Sequence, residues 1–180
     1  MTKAPVLRRY AEALFAVASK HDKIDIVYEN LRSVSSTFDE NTNLEAILKA
    51  PVISLNEKKS IISDIFSDKI DAFTLNFLFL VIDKKRDFII ASIFEEFEKI
   101  VYDTKGISVA EVESAFQLND ELLTELRIAL EKMSGKSVII SKNIVNNSII
   151  GGIKVTLGDN VIDGSILKKI KQMRESLLNS

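Results

Sequence analysis

The residues of this chain whose types and spacing resemble a phosphate-binding site are the glycines near its C-terminal end. Gly151-Gly152, Gly158 and Gly164-Ser165 precede an apolar helical pattern, and glycine-rich loops before helices bind phosphates in nucleotide-binding proteins. A phosphate loop, however, ends its glycine run in Gly-Lys-Ser/Thr, and a dinucleotide motif reads Gly-x-Gly-x-x-Gly. Neither pattern occurs here. A β-hairpin followed by a helix accounts for these glycines, so the stretch predicts structure and no cofactor site.

The other candidates for chemistry are the carboxylates of Asp159 and Asp163 and the single histidine, His21. Two carboxylates beside a hairpin, with no third ligand at close spacing, are typical of turn and cap residues. One histidine and no cysteine exclude disulfides, thiolate or multi-histidine metal sites and cysteine nucleophiles. No Ser-His-Asp set has a usable spacing around His21. We therefore expect no catalytic residue, no metal and no cofactor.

The overall composition is that of an ordinary globular protein. The chain has 180 residues, of which 46% are hydrophobic and 28% charged, with a net charge of −2. A charge this close to zero argues against a general nucleic-acid-binding protein. No apolar run approaches the roughly 18 to 20 residues that span a bilayer, and the N-terminus lacks the apolar core of a signal peptide. We expect the chain to stay in the compartment that makes it and to reach a membrane only through partners.

The composition changes along the chain near Thr104. All six glycines lie at Gly106 or later, whereas both prolines, Pro5 and Pro51, lie before it. Helical spacing of apolar residues dominates the first part, and β-branched runs appear in the second. We therefore predict an α+β protein of two domains. Residues 1–104 form a six-helix bundle, and residues 105–180 form a small α/β domain with a short sheet and two helices.

Side chains that accept hydrogen bonds precede several of these helices, as N-cap residues do. They are Asp22, Asn43 and Ser54 in the first domain, and Asn119 and either Asp163 or Ser165 in the second. Ser54 is followed by Glu57 at the spacing of a capping box.

Helices one and five are apolar on more than one side. Helix one reads Ala-Glu-Ala-Leu-Phe-Ala-Val-Ala over residues 11–18, and helix five has six consecutive apolar residues from Phe77 to Ile82. A helix that is apolar all round is either central or covered on a second side by another molecule. Two interpretations stay open: both helices belong to the core, or together they leave a groove for a partner's amphipathic helix.

The last helix combines an apolar stripe with a basic face. The stripe consists of Ile166, Leu167, Ile170, Met173 and Leu177, and the basic residues are Lys168, Lys169, Lys171 and Arg174. Such a face is either simply solvated, which also suits the helix dipole, or a docking surface for an acidic helical partner.

Three motifs in order along the chain resemble one known family. Residues 151–165 read Gly-Gly-Ile-x-Val-x-x-Gly-Asp-x-Val-Ile-Asp-Gly-Ser, residues 9–15 read Arg-Tyr-Ala-x-Ala-Leu-Phe, and an apolar helix from Asn76 ends in a basic break at Arg86. In this the chain resembles the delta subunit of F-type ATP synthases, the family of the oligomycin-sensitivity-conferring protein. Leu7-Arg8-Arg9 is more basic than the usual opening of that family.

The resemblance implies a non-catalytic subunit of the peripheral stalk, which ties the catalytic head to the stator so that rotation is coupled to ATP synthesis. It implies a groove between helices one and five for the N-terminal helix of an alpha subunit. The residues expected to bind that helix are Tyr10, Ala13, Leu14, Phe77, Leu80 and Val81. The residues expected to bind the b-type stalk subunits are Lys168, Lys169, Lys171 and Arg174.

The same resemblance implies a single copy in a hetero-oligomeric complex, on the cytoplasmic face of the inner (plasma) membrane. It implies no nucleic acid and no direct membrane contact. The alternative is a soluble adaptor or regulator of similar architecture that uses its basic last helix on RNA or acidic proteins.

Overall fold

Helices form the whole first part of the structure. A computed structural model describes residues 3–158 and 160–178, without the side chains at positions 3, 42 and 175–178. The helices of the first part are α1 (Lys3–Lys20), α2 (Ile24–Glu40), α3 (Thr42–Lys49), α4 (Leu55–Phe66), α5 (Ala72–Asp83), a 3-10 helix (Asp87–Ser92) and α6 (Ile93–Thr104). The 3-10 helix runs directly into α6, and together they form the last of the six helical segments.

Of the three helix starts expected in this part, one is confirmed and two are wrong. Ser54 and Glu57 form the capping box at the start of α4, each side chain paired with the other's backbone N–H. Asp22 does not cap α2: it adopts a positive φ of 52° in the turn after α1, and α2 starts at Ile24 without a side-chain cap. Asn43 is not a cap either, because α3 already begins at Thr42.

The helices of the first part share one hydrophobic core. Its largest fully buried side chains include Phe66, Phe97, Leu31, Leu48, Leu78 and Ile82. A nearly buried ion pair between Lys58 and Asp87 joins α4 to the 3-10 helix. By the grouping of its contacts, the chain divides into two compact units, Met1–Val101 and Tyr102–Ser180.

The second unit is built on a four-stranded sheet. Its elements are β1 (Ile107–Ser114), α7 (Asp120–Ser134), β2 (Ser137–Val145), a 3-10 turn (Asn147–Ile149), β3 (Ile153–Leu157), β4 (Asn160–Asp163) and α8 (Ile166–Leu178). The strand order is β2-β1-β3-β4, with β1 parallel to β2 and the other pairs antiparallel. A parallel pair needs a long crossover, which α7 provides. Together the two units make the protein α+β.

Local signals in the second unit act as expected. Asn119 caps α7 by accepting a hydrogen bond from Leu122 N at 2.9 Å, and Gly135 ends α7 with a positive φ of 69°. Ser165 caps α8, since its Oγ accepts a hydrogen bond from Lys168 N at 3.2 Å. The predicted turn residue Asp159 lies outside the described residues.

The core of the second unit lies on one face of the sheet, against α7. Ala110, Val112, Val138, Val155 and Leu130 are buried there. The stripe of α8 does not join this core: Ile166, Ile170 and Met173 are 44%, 49% and 67% exposed, and Leu177 lies outside the described side chains. A bilayer crossing needs a longer and more apolar helix than any formed by the described residues.

Candidate partner-binding groove

An open groove of about 580 Å³ lies between α1 and α5. Each of these helices packs against α2 and the first 3-10 helix. The lining residues are Val6, Arg9, Tyr10, Ala13, Leu14, Val17, Phe73, Asn76, Phe77, Leu80 and Arg86. We refer to this site as the α1–α5 groove. Its lining is mostly aliphatic and aromatic, as in sites that bind the apolar face of a helix.

The α1 side of the groove follows the helical repeat. From Val6 to Val17 each lining position has another lining position three or four residues along the helix, so they form one stripe along three turns. The core side of α1 is formed by Ala11 and Ala18, which are fully buried. Leu14 lies between the two faces, with only 3% of its surface exposed, and contributes to the floor of the groove. Helix α1 therefore has two apolar faces with different neighbours.

The α5 side divides its apolar run in the same way. Phe77 and Leu80 line the groove, and Leu80 is 48% exposed. Leu78, Val81 and Ile82 are fully buried in the core. Successive residues of a helix point about 100° apart, so an uninterrupted apolar run has to face both the core and the groove.

Five of the six residues expected to bind a partner helix come together in the groove: Tyr10, Ala13, Leu14, Phe77 and Leu80. Val81 does not, because it lies on the core side of α5 and is fully buried, where a docked helix could not touch its side chain. We exclude Val81 from the groove.

The structure adds lining residues that the sequence reasoning missed. Val6 and Val17 continue the spacing of Tyr10 and Ala13, and Phe73 lies one turn before Phe77, so periodicity was a usable signal for all three. Arg86 lies beyond the end of α5, where helical periodicity gives no information about its direction.

One end of the groove is held together by a polar network. His21 packs edge-on against Phe73 with ring centroids 6.1 Å apart, and Lys23 Nζ is 2.8 Å from Asp71 Oδ2. Asp71 also caps α5, accepting a hydrogen bond from Thr74 N at 2.9 Å. Burial raises the pKa of Asp71, but hydrogen bonds from Lys23 and Thr74 outweigh this and leave the pKa below its ordinary value.

These contacts also establish that α1 and α5 are antiparallel. His21 and Lys23 follow the C-terminal end of α1, whereas Phe73 and Asp71 are at the N-terminal end of α5. The other end of the groove therefore lies between the start of α1 and the end of α5, where Arg9 and Arg86 are located.

The predicted stalk-binding residues are on a second surface. Lys168, Lys169, Lys171 and Arg174 are all exposed on α8, beside the exposed apolar side chains of Ile166, Ile170 and Met173. Helix α8 thus presents cationic and apolar side chains to solvent together.

The geometry assigns a structural role to the carboxylate considered as a metal ligand. Asp163 Oδ1 accepts a hydrogen bond from Ser165 N at 2.9 Å, and the hydrogen bonds from Ser165 keep the pKa of Asp163 below its ordinary value. Within residues 3–158 and 160–178, no three His, Cys, Asp or Glu side chains come together as metal ligands would.

Comparisons with known proteins agree along nearly the whole chain. The family model of the ATP synthase delta (OSCP) subunit matches residues 6–177. The chain is 36% identical over 173 residues to the ATP synthase subunit delta of Alkaliphilus metalliredigens, covering 96% of both proteins. It is 35% identical over 178 residues to that of Chlorobaculum tepidum, covering 99% of this chain and 98% of the relative.

A solved structure is similar in fold. A chain of the Toxoplasma gondii mitochondrial ATP synthase hexamer matches with a TM-score of 0.77 and 20% identity, covering 99% of this chain and 98% of that one. At this identity the match supports the fold alone, whereas the family model and the relatives include the motifs near both ends of the chain. The chain therefore belongs to the ATP synthase delta (OSCP) subunit family.

Proposed function

We propose that the α1–α5 groove binds the N-terminal helix of an alpha subunit and so attaches this chain to the catalytic head. The observation that carries the proposal is the open apolar groove itself, in a chain that matches the delta family from end to end. The groove runs from Val6 to Val17 along α1. At about 1.5 Å per residue, this is roughly 17 Å, the length of about three turns of a docked helix.

As a member of this family, the chain is a non-catalytic subunit of the peripheral stalk of ATP synthase. Rotation of the central shaft exerts torque on the head, and a head without a stationary tether would turn with the shaft. ATP synthesis would then stop although every catalytic site was intact. The family match also sets aside the alternative of an RNA-binding adaptor.

The groove is suited to long-lived attachment because its contacts are apolar. Each large apolar side chain that becomes fully buried contributes about 1.5 to 3 kcal/mol, and Tyr10, Phe77 and Leu80 are central contributors. Tyrosine can bury its ring while its hydroxyl stays at the rim. Part of this gain offsets the loss of translational and side-chain freedom on association.

We assign the two attachments to separate parts of the chain. Residues 1–104 form the six-helix module that binds the head, and residues 105–180 form the α/β module that binds b-type stalk subunits. Exposed Lys168, Lys169, Lys171 and Arg174 on α8 support the second assignment, because they match an acidic helical partner in charge. We further propose, from the family, that the chain acts as a single copy in the complex, on the cytoplasmic face of the inner (plasma) membrane.

Substitution of Leu80 or Tyr10 by Asp tests the groove. Either change replaces an apolar contact by a carboxylate that loses its water when the helix docks, so either variant should lose detectable binding of a synthetic alpha N-terminal peptide in calorimetry. Circular dichroism should show unchanged helix content, since Leu80 is 48% exposed and Tyr10 is only half-buried, at the edge of the core.

Val52→Asp is the matched control. Val52 is 92% exposed and does not line the groove, so the same change there should leave the affinity as in the wild type. Equal affinity of the Leu80→Asp variant and the control would show that the peptide binds elsewhere.

A further inference from the structure

Two arginines stand in the otherwise uncharged lining of the α1–α5 groove. Arg9 is on α1, one residue before Tyr10, and Arg86 follows the end of α5. The lining residues include no aspartate or glutamate. Among the residues that the structure describes, neither guanidinium has a salt-bridge partner. The groove thus contains two uncompensated positive charges beside an apolar surface.

The backbone holds Arg86 in this position. Lys85 adopts a positive φ of 55°, and the turn is closed by hydrogen bonds from Lys85 N to Ile82 O at 2.8 Å and from Arg86 N to Val81 O at 2.9 Å. This is the Schellman arrangement that ends helices. The chain therefore turns back at Lys85, and Arg86 is fixed against the last turn of α5.

Both arginines lie at the same end of the groove. Because α1 and α5 are antiparallel, the end of α5 lies beside the start of α1, where Arg9 is located. The opposite end holds Phe73 and Val17, and the nearby Lys23 is already paired with Asp71. The free positive charge of the groove is thus concentrated at one end.

A purely apolar helix would be a poor occupant of such a groove. Docking it would remove water from the two guanidinium groups without supplying a partner, which is unfavourable. A carboxylate at this point would accept charge-assisted hydrogen bonds, for which the fork of an arginine is well shaped.

We propose that the helix bound in the α1–α5 groove carries an aspartate or glutamate at the edge of its apolar stripe, which pairs with Arg9 and Arg86. This inference rests on the proposed function. The pair sets the register and the direction of the docked helix. A helix docked in the reverse direction would place its carboxylate at the end formed by Phe73 and Val17, far from both arginines.

Charge reversal of the arginines tests the pairing in the full-length chain. Arg9→Glu and Arg86→Glu should each raise the Kd of a synthetic alpha N-terminal peptide by about three- to tenfold, since an attraction becomes a repulsion. The peptide is about 25 residues long, so that it exceeds the groove. A peptide with the relevant acidic residue changed to Lys should bind the Arg9→Glu/Arg86→Glu variant more tightly than it binds the wild type.

Matched controls reverse charges next to the groove. Arg8 is one residue from Arg9, is paired with Glu12 at 2.9 Å and does not line the groove. Lys84 is exposed at the C-cap of α5 and does not line it either. Arg8→Glu and Lys84→Glu should change the Kd by less than about twofold, because exposed charges outside a contact are screened by salt.

The outcomes separate this inference from the proposed function. If the wild type does not bind the alpha peptide, both are wrong. If Leu80→Asp abolishes binding but Arg9→Glu and Arg86→Glu bind as tightly as their controls, the groove stands and the pairing is wrong. Failure of the Lys-substituted peptide to recover affinity also contradicts the pairing. The neutral Arg9→Gln/Arg86→Gln variant is the control for a folding defect, and its melting curve should match that of the wild type. Its Kd should depend less on salt concentration than the Kd of the wild type.

Discussion

At the scale of single residues, Asp71 connects the start of α5 to the turn after α1. One carboxylate oxygen accepts from Thr74 N at 2.9 Å and the other from Lys23 Nζ at 2.8 Å. Thr74 is fully buried and also accepts a hydrogen bond from Asn30 Nδ2 at 3.2 Å. The Asp71 side chain therefore caps α5, one wall of the α1–α5 groove, and links it to the turn that follows α1, the other wall.

Two substitutions of Asp71 separate these roles. Asp71→Ala removes the cap and the ion pair, and we expect it to lower the free energy of unfolding by about 1 to 2 kcal/mol. Asp71→Asn keeps a good capping side chain and loses only the charge, so its loss should be about 0.5 kcal/mol. Urea unfolding followed by circular dichroism measures both, and equal losses would contradict a separate capping role.

The ion pair also predicts a pH dependence. The pKa of Asp71 is lower in the folded chain than its ordinary value, so the carboxylate stabilises the fold above the unfolded pKa of about 3.9. That contribution is lost as the pH falls through the lower, folded pKa. The difference in stability between the wild type and Asp71→Asn should be constant near neutral pH and shrink below about pH 4.

At the scale of elements, two backbone segments lie close together at the junction of the hairpin with α8. Gly152 has a φ of +80°, and a Cβ added there would lie 2.5 Å from the carbonyl oxygen of Gly164. Gly158, in the hairpin turn, has a φ of +57° and open space around it. The hydrogen bond from Ile166 N to Gly151 O at 2.9 Å joins the same two segments.

Alanine at these two glycines should have unequal effects. Gly158→Ala meets only the strain of a positive φ, about 1 kcal/mol. Gly152→Ala meets the same strain and a clash with backbone, for a total of about 3 kcal/mol. Hydrogen–deuterium exchange of the β3 and β4 amides should rise much more in Gly152→Ala. Similar exchange in both variants would mean that the backbone at the junction can shift to relieve the clash without loss of stability.

At the scale of the whole molecule, the two units present two different candidate binding surfaces. The first has the apolar α1–α5 groove, and the second has the exposed basic and apolar faces of α8. Each unit has its own hydrophobic core. A substitution on the surface of one unit should therefore leave the other unit folded. A tether works only when both of its ends are attached.

Co-purification with a tagged chain tests the two attachments together. Leu80→Asp should lose the head subunits and keep the stalk subunits. Lys168→Glu/Lys169→Glu/Lys171→Glu should do the reverse, because it replaces three exposed cations by anions.

Lys132→Glu, at an exposed position of α7, is the control for a general effect of charge. If the triple variant retains the stalk subunits as the control does, the basic face of α8 is not the stalk attachment.

The sequence by itself determined the features that depend on neighbours along the chain. The capping box at Ser54, the cap at Asn119 and the hairpin from Ile153 are all confirmed, because each is a local pairing of backbone with a nearby side chain or turn. Asp22 failed as a cap because the turn after α1 gives it a positive φ. The apolar excess of α1 and α5 predicted either a core or a groove and could not decide between them.

Only the tertiary structure shows which apolar residues of α1 and α5 belong to the core and which line the groove. Leu80 and Val81 are adjacent and equally apolar, yet one lines the groove and the other is fully buried, since the difference depends on which neighbour covers each side of α5. Arg86 enters the groove through the turn at Lys85, and Ile170 stays exposed because no described element covers that face of α8. Periodicity shows that a helix has an apolar face, but the packing of distant segments determines whether that face is buried or left open for a partner.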